Sequence, residues 1–189
     1  MKKWPRRALF ALGGLVVLLA LVVIGIVLYV RMTFPRTYDR AVPQVTAPTD
    51  AATVARGEYI FKYTGLCWGC HGDEEDIDAS PSGGFEFDLR KVGPPGGLGT
   101  FYARNLTPDV ETGIGAWSDG EIVKALQQGL RPDGTVLMLM PFEWYRGMSQ
   151  EDLLSVVAYM RSLEPARNAV PDNRLSFTTK LLNVFKQIT

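Results

Sequence analysis

The sequence predicts an all-α domain with long connecting loops, carried behind one membrane-spanning helix. Three observations support this. Residues 8–30 read ALFALGGLVVLLALVVIGIVLYV without a charge. Two later stretches open on helix-capping residues and continue with apolar residues at helical spacing. No stretch shows convincing strand alternation, and no internal repeat is visible.

Taken in order, the apolar run comes first. At about 1.5 Å of rise per residue it spans roughly 34 Å, against a hydrocarbon core of about 30 Å. A cleaved signal peptide has a shorter apolar region, about 7–15 residues, and small residues at its cleavage site. Here Arg31, Met32, Thr33, Phe34 and Pro35 follow, so residues 1–31 read as a retained anchor. Lys2, Lys3, Arg6 and Arg7 hold the N-terminus in the cytoplasm by the positive-inside tendency. That sends the remainder to the periplasmic side of the inner membrane.

Residues 32–50 form a tether rich in Pro, Thr and Val. Asp50 or Thr49 caps a helix that starts at residue 51 and reaches 63 or 70, with Val54, Tyr59 and Phe61 among its apolar positions. Gly57 lies inside it at a cost of up to about 1 kcal/mol relative to Ala, which a close helix crossing would justify. Residues 72–112 are loop-like, with GG, GPPGG and TPD punctuation. So long an irregular stretch suits a compact domain only if a large prosthetic group gives it something to pack on. Ser118 with Glu121 makes a capping box, and Ile122, Val123 and Leu126 give one helical face that ends at Gly129. Ser149 with Asp152 opens a helix over 150–163, with Leu153, Val157, Met160 and Leu163 on one stripe, and Pro165 stops it. The domain proper is therefore 51–165. The tail, 166–189, carries Phe177, Leu181, Val184, Phe185 and Ile188 at roughly helical spacing, with Lys180 and Lys186 interleaved. It lies on the membrane surface, docks on a partner protein, or packs as a last helix on its own domain.

Formal net charge is zero, from 20 basic and 20 acidic side chains. Removing Lys2, Lys3, Arg6, Arg7 and Arg31 leaves 15 basic against 20 acidic. No basic footprint for nucleic acid exists, and that class is set aside.

Cysteine and histidine say most. The chain has two Cys and one His, all within Cys67-Trp68-Gly69-Cys70-His71. A tetrahedral zinc site cannot be completed from them. A Cys67–Cys70 disulfide would leave His71 unexplained, and a thioredoxin-like pair would need a βαβ setting that is not visible. C-x-x-C-H is the spacing of covalent haem attachment. Each sulfur adds across one vinyl group, and His71 projects its imidazole to the iron. One covalent haem c is implied, assembled outside the cytoplasm, in agreement with the anchor's orientation.

The second axial ligand follows by elimination. There is no second His, so methionine is the choice, from Met138, Met140, Met148 and Met160. Met160 lies on an apolar stripe and Met148 sits just before a helix cap. Met140 precedes Pro141, which biases it toward an extended backbone. Met140 is preferred, with Met138 second. The acidic run Asp73, Glu74, Glu75, Asp76 and Asp78 either steers a basic redox partner or is a solvated loop.

The order Gly57-x-Tyr59, CWGCH, Gly-rich loop, Met140-Pro141 and a Tyr-bearing last helix (AYMRSL) resembles a class I cytochrome c. The stretch 105–129 with the later RPDG and MPFEWYRGMSQEDLLSVVAYMRSL is similar to the cytochrome c subunits of bacterial membrane-bound alcohol and sugar-acid dehydrogenases. It also resembles single-haem modules of other respiratory complexes. The likeness covers about 53–165. It implies a fold of helices with haem-wrapping loops, with haem bound by Cys67, Cys70, His71 and Met140 and iron ligated by His71 and Met140. It also implies a crossing of first and last helices near Gly57 and Tyr159. In the family a Gly-Pro after the haem motif offers a carbonyl to the proximal imidazole, a part that falls to Gly93-Pro94 or Pro95 here. Trp117 and Tyr102 either wall the haem or bond a propionate, or are ordinary core aromatics.

The expected function is single-electron transfer, by a tethered carrier or a subunit of a respiratory or photosynthetic complex, not an enzyme in its own right. Donors would be quinol-oxidising or dehydrogenase subunits, and acceptors a soluble cytochrome c or terminal oxidase. A peroxidase-like haem enzyme and a haem sensor with a displaceable methionine are the alternatives.

Overall fold

The computed structural model describes residues 6–73 and 75–185. Lys2, Lys3, Glu74, Lys186 and Ile188, named above, lie outside the described residues. Helix α1, Arg6–Thr33, contains the apolar run and has a mean hydropathy of 3.1 over its most apolar window. At 28 residues it is long and apolar enough to cross a membrane. Its side chains are exposed along most of its length, and Val30 is buried.

Helix α2, Ala51–Tyr59, starts where the sequence places it, with Thr53 donating its backbone N–H to Asp50 Oδ1 at 3.0 Å. It ends earlier than expected as an α-helix and widens into a π-helical turn, Ile60–Thr64. A short helix α3, Trp68–His71, follows. Helix α4, Asp119–Gln128, has the full capping box of Ser118 and Glu121, and closes on Gly129 in the left-handed region at φ 65°. After the one-turn helix α5, Phe142–Tyr145, comes α6, Gln150–Ser162, capped by Ser149. Only half of the expected box forms there. The carboxylate of Asp152 turns outward to Arg56 of α2, at 2.9 Å.

Helices α2 and α6 make the central crossing, and Gly57 is the reason they can. A Cβ on Gly57 would collide with the carbonyl of Ser155 and lie 2.9 Å from Tyr159 Cβ. Next to this contact Phe61 meets Tyr159 with ring centroids 5.3 Å apart. Phe61, Ile122, Leu153, Val156 and Val157 are the centre of the core.

The all-α expectation is corrected by a three-stranded antiparallel sheet. Strand β1, Glu86–Leu89, pairs with β2, Gly99–Tyr102, from Glu86↔Tyr102 to Leu89↔Gly99. Strand β3, Arg174–Leu175, adds to β2 at Gly99↔Leu175. The stretch expected to be loop is thus partly a hairpin. Its connection turns on glycines with positive φ, Gly93 (88°), Gly96 (91°) and Gly97 (64°), where side chains are disfavoured.

The segment after α1 has little regular secondary structure and is tied down along its length. Tyr38 N–H donates to Gly134 O at 2.9 Å, Ala47 N–H to Asp119 Oδ2 at 2.8 Å, and Ala47 is buried. The tail forms helix α7, Phe177–Phe185, which packs on its own domain and on the end of α1. Thr179 Oγ1 donates to Leu98 O at 2.6 Å, Arg36 donates to Val184 O at 3.0 Å, and Tyr29 meets Phe185 at 5.9 Å.

Candidate haem site

The C-x-x-C-H motif is delivered by the end of the π-helical turn. Leu66 takes a left-handed φ of 53°, unusual for a residue with a side chain and costing on the order of 1 kcal/mol. That reversal lets Cys67 N–H donate back to Phe61 O at 3.0 Å and start α3. Within α3, Cys70 N–H and His71 N–H both donate to Cys67 O, at 3.3 and 3.0 Å. Residues three and four apart on a helix share one side, so a single turn places both thiols and the imidazole together. The thiols are free, not joined as a disulfide. Tyr145 of α5 closes over this turn, its hydroxyl donating to Gly65 O at 2.7 Å.

His71 is oriented by a backbone carbonyl. Its Nδ1 lies 2.7 Å from Arg104 O. A carbonyl only accepts, so Nδ1 carries the proton and Nε2 keeps a lone pair for a metal. The partner is not in the Gly93-Pro94-Pro95 stretch, as the resemblance implied. Pro94 O instead accepts from Gly97 N–H at 2.8 Å, inside the β-hairpin connection. Arg104 lies two residues beyond the end of β2, where Gly84 N–H donates to Ala103 O and Ala103 N–H to Phe85 O, at 2.9 and 3.0 Å. Gly83 N–H also donates to His71 O at 2.9 Å. Gly83 has φ 73°, and a Cβ there would sit 2.5 Å from the Arg104 carbonyl carbon and 2.6 Å from its oxygen. Gly83 and Arg104 are therefore site residues that sequence reasoning missed. The Gly-Gly at 83–84 was the available signal for the first, and the second has none, because any residue supplies a carbonyl.

The electrostatics suit neutral groups. Burial pushes the Cys67 thiol up to about 12 and raises Cys70 as well. Burial lowers His71, with the Arg104 carbonyl opposing in part. Both thiols and the imidazole are thus uncharged near neutral pH.

Among the methionines, Met160 is buried in the core, as the stripe on α6 foretold. Met140 and Met148 pack against the same apolar cluster as Cys67, Trp68 and Tyr145. Met138 is partly buried outside that cluster. Met140 O accepts Phe142 N–H at 2.9 Å, which fixes the Met140-Pro141 corner at the start of α5.

The acidic run is largely spent on its own neighbourhood. Lys62, only 9% exposed, donates to Asp78 and Glu58 at 2.6 and 2.7 Å. Asp73 and Asp76 accept backbone N–H groups of Glu75 and Asp78, both at 2.9 Å. Trp68 Nε1 donates to Asp76 O at 3.0 Å, pinning the loop beside the haem motif. Trp117 packs against the main core, and its carbonyl accepts from Arg161. The Tyr102 hydroxyl donates across the strand pair to Glu86 at 3.1 Å.

No protein-family model matches the chain. It is 34% identical over 128 residues to the cytochrome c subunit of the quinone-dependent alcohol dehydrogenase of Gluconobacter oxydans, covering 65% of this chain and 24% of the relative. To the gluconate 2-dehydrogenase cytochrome c subunit of Pantoea cypripedii it is 36% identical over 126 residues, covering 65% and 26%. To the fructose dehydrogenase cytochrome subunit of Gluconobacter japonicus it is 31% identical over 140 residues, covering 71% and 27%. The chain thus spans about a quarter of the length of these curated relatives. The shared region, the C-x-x-C-H turn and the oriented imidazole together make this chain a homologue of the cytochrome c subunits of dehydrogenases.

Proposed function

We propose that the chain carries single electrons through one covalent c-type haem, ligated by His71 and Met140. The supporting observation is the His71 Nδ1 to Arg104 O hydrogen bond at 2.7 Å. It presents Nε2 as a ligand, beside two free thiols at the attachment spacing. The residues fit the group. When bound, haem supplies a one-electron couple at its iron. Cys67 and Cys70 would hold it by two thioethers, and the Arg104 carbonyl orients the His71 ring. Hydrogen bonding to Nδ1–H raises the basicity of the His71 ring, and ligation by Met140 would raise the potential. With His71 and Met140 both engaged in holding the haem, no protein side chain would be left to open a substrate site, and bond-making chemistry would belong to a partner. Helix α1 anchors the domain to the inner membrane with the haem on the periplasmic side. A dehydrogenase or quinol-oxidising subunit is the donor, and a soluble cytochrome c or terminal oxidase the acceptor.

The test is spectroscopic. The purified full chain is expected to contain one haem per polypeptide, low-spin in both oxidation states, with the long-wavelength band of methionine-sulfur ligation when oxidised. The reduced protein should not bind carbon monoxide. Met140→Ala is expected to abolish that band, lower the potential and admit carbon monoxide. A variant that keeps the wild-type spectrum and potential refutes Met140. A high-spin wild type open to carbon monoxide refutes the carrier and favours an enzyme or sensor.

A further inference from the structure

Where α1 ends, the domain presents a groove whose lining includes none of Cys67, Cys70, His71 and Met140. It has a volume of about 490 Å³, and its lining includes Phe34, Arg90, Asn173, Arg174, Ser176 and Lys180. That size lies in the usual range for small-ligand sites. We propose that it seats the phosphate of an anionic phospholipid from the leaflet into which α1 emerges. The proposal rests on the reading of α1 as a membrane-spanning anchor.

Position is the first argument. Phe34 N–H donates to Val30 O at 2.9 Å, continuing the last turn of α1, so the groove begins one residue beyond that helix. In a bilayer this is the depth at which headgroup phosphates lie. Charge is the second. Among the described residues, Arg174 and Lys180 pair with no carboxylate. Lys180 Nζ instead sits 5.6 Å from the centroid of the Phe34 ring. Arg90 is already matched by Asp88 through two bonds of 2.8 and 2.7 Å, so the available cations are Arg174 and Lys180. Asn173 and Ser176 are occupied, the one accepting from Tyr102 N–H at 2.9 Å and the other donating to Gly97 O at 2.7 Å. They hold the groove's shape, and the two cations supply the charge that meets the phosphate.

The third argument is what flanks the cations. Phe177, Leu182 and Phe185 of α7 are 44%, 57% and 60% exposed. Phe185 contacts Tyr29 of α1, so this apolar surface continues that of the spanning helix. A free phosphate would satisfy the cations and leave these side chains in water. A phospholipid satisfies both, with acyl chains along α7 and phosphate between Arg174 and Lys180.

The test uses the full haem-loaded chain. Alkaline carbonate extraction of membranes comes first, and release of the chain there removes the anchoring reading itself. Detergent-solubilised protein is then mixed with equal phosphatidylglycerol and phosphatidylcholine, and retained lipid is measured by native mass spectrometry. Phosphatidylglycerol should be retained preferentially. The double substitution Arg174→Gln with Lys180→Gln should weaken its retention by roughly tenfold or more. Arg174→Lys with Lys180→Arg should preserve it, as should Arg56→Gln with Arg167→Gln, which removes two cations elsewhere. An unchanged haem spectrum checks folding in each variant. If an anchored chain retains both lipids equally, or the Gln variant keeps the preference, the lipid site is wrong and the anchor stands. Inorganic phosphate that displaces the lipid completely would mark a free-anion site and overturn the proposal equally.

Discussion

Gly83 and Arg104 show how little side-chain chemistry is needed to orient the His71 ring. Gly83→Ala must both strain a φ of 73° and push on the Arg104 carbonyl. The expected outcome is a loosened His71 hydrogen bond, a less basic imidazole and a reduction potential shifted upward, measured by redox titration. The same variant should lose roughly 1–3 kcal/mol of stability. Lys62 makes a second argument at this scale. Burial alone would lower its amine, but the hydrogen bonds it donates to Asp78 and Glu58 hold it above the ordinary 10.5. The folded value being the higher one, the pair's contribution is complete below 10.5 and fades only as pH climbs through the raised value. Lys62→Met should therefore cost the same at pH 6 and pH 8, about 1–2 kcal/mol, by urea denaturation. A cost that changes across that interval would mean the amine titrates there. The candidate attachment residues stand out in the sequence because two Cys and one His occur in one pentapeptide. The carbonyl that orients His71 was not, since every residue has one.

At the scale of elements, capping chemistry was readable and pairing was not. Ser118 with Glu121 predicted α4 to the residue, because both halves of the box are local. Ser149 with Asp152 predicted the start of α6 but not that Asp152 would leave the box for Arg56, a partner 96 positions away. The sheet was missed for the same reason: β1 and β2 have four residues each, and β3 has two, joined to β2 from across the domain. Such strands are too short to show a period and are defined by partners that the local sequence does not reveal. Gly57 was the better clue. Replacing it with Ala gains up to about 1 kcal/mol of helix propensity but forces a methyl into the Ser155 backbone. Overpacking costs about 1–3 kcal/mol, and a rigid backbone neighbour puts this site at the upper end. Gly57→Ala should thus be net destabilising in a denaturant midpoint assay, despite being the better helix former.

For the whole molecule, the apolar run fixed α1 by length alone, whereas the tail had three open readings. The structure answers part of that question by packing α7 on both the domain and α1. Deleting residues 1–33 is expected to leave the haem spectrum and potential unchanged, since α2 and α6 form the core without α1. It should also free α7 from Tyr29, so limited proteolysis should cut within 176–185 faster than in the full chain. Equal cleavage rates would show that the contact with α1 does not hold α7.

The clamp of α7 on α1, with the segment from 34 to 47 bonded across the domain, has a kinetic consequence. A redox domain on a slack leash samples every orientation and must find the productive one anew at each encounter. Here much of that rotational freedom is surrendered once, during folding, instead of in each collision. For a chain anchored by α1, the search for a partner becomes lateral diffusion with a fixed presentation, and the geometry of the stalk selects which neighbours come within electron-tunnelling range.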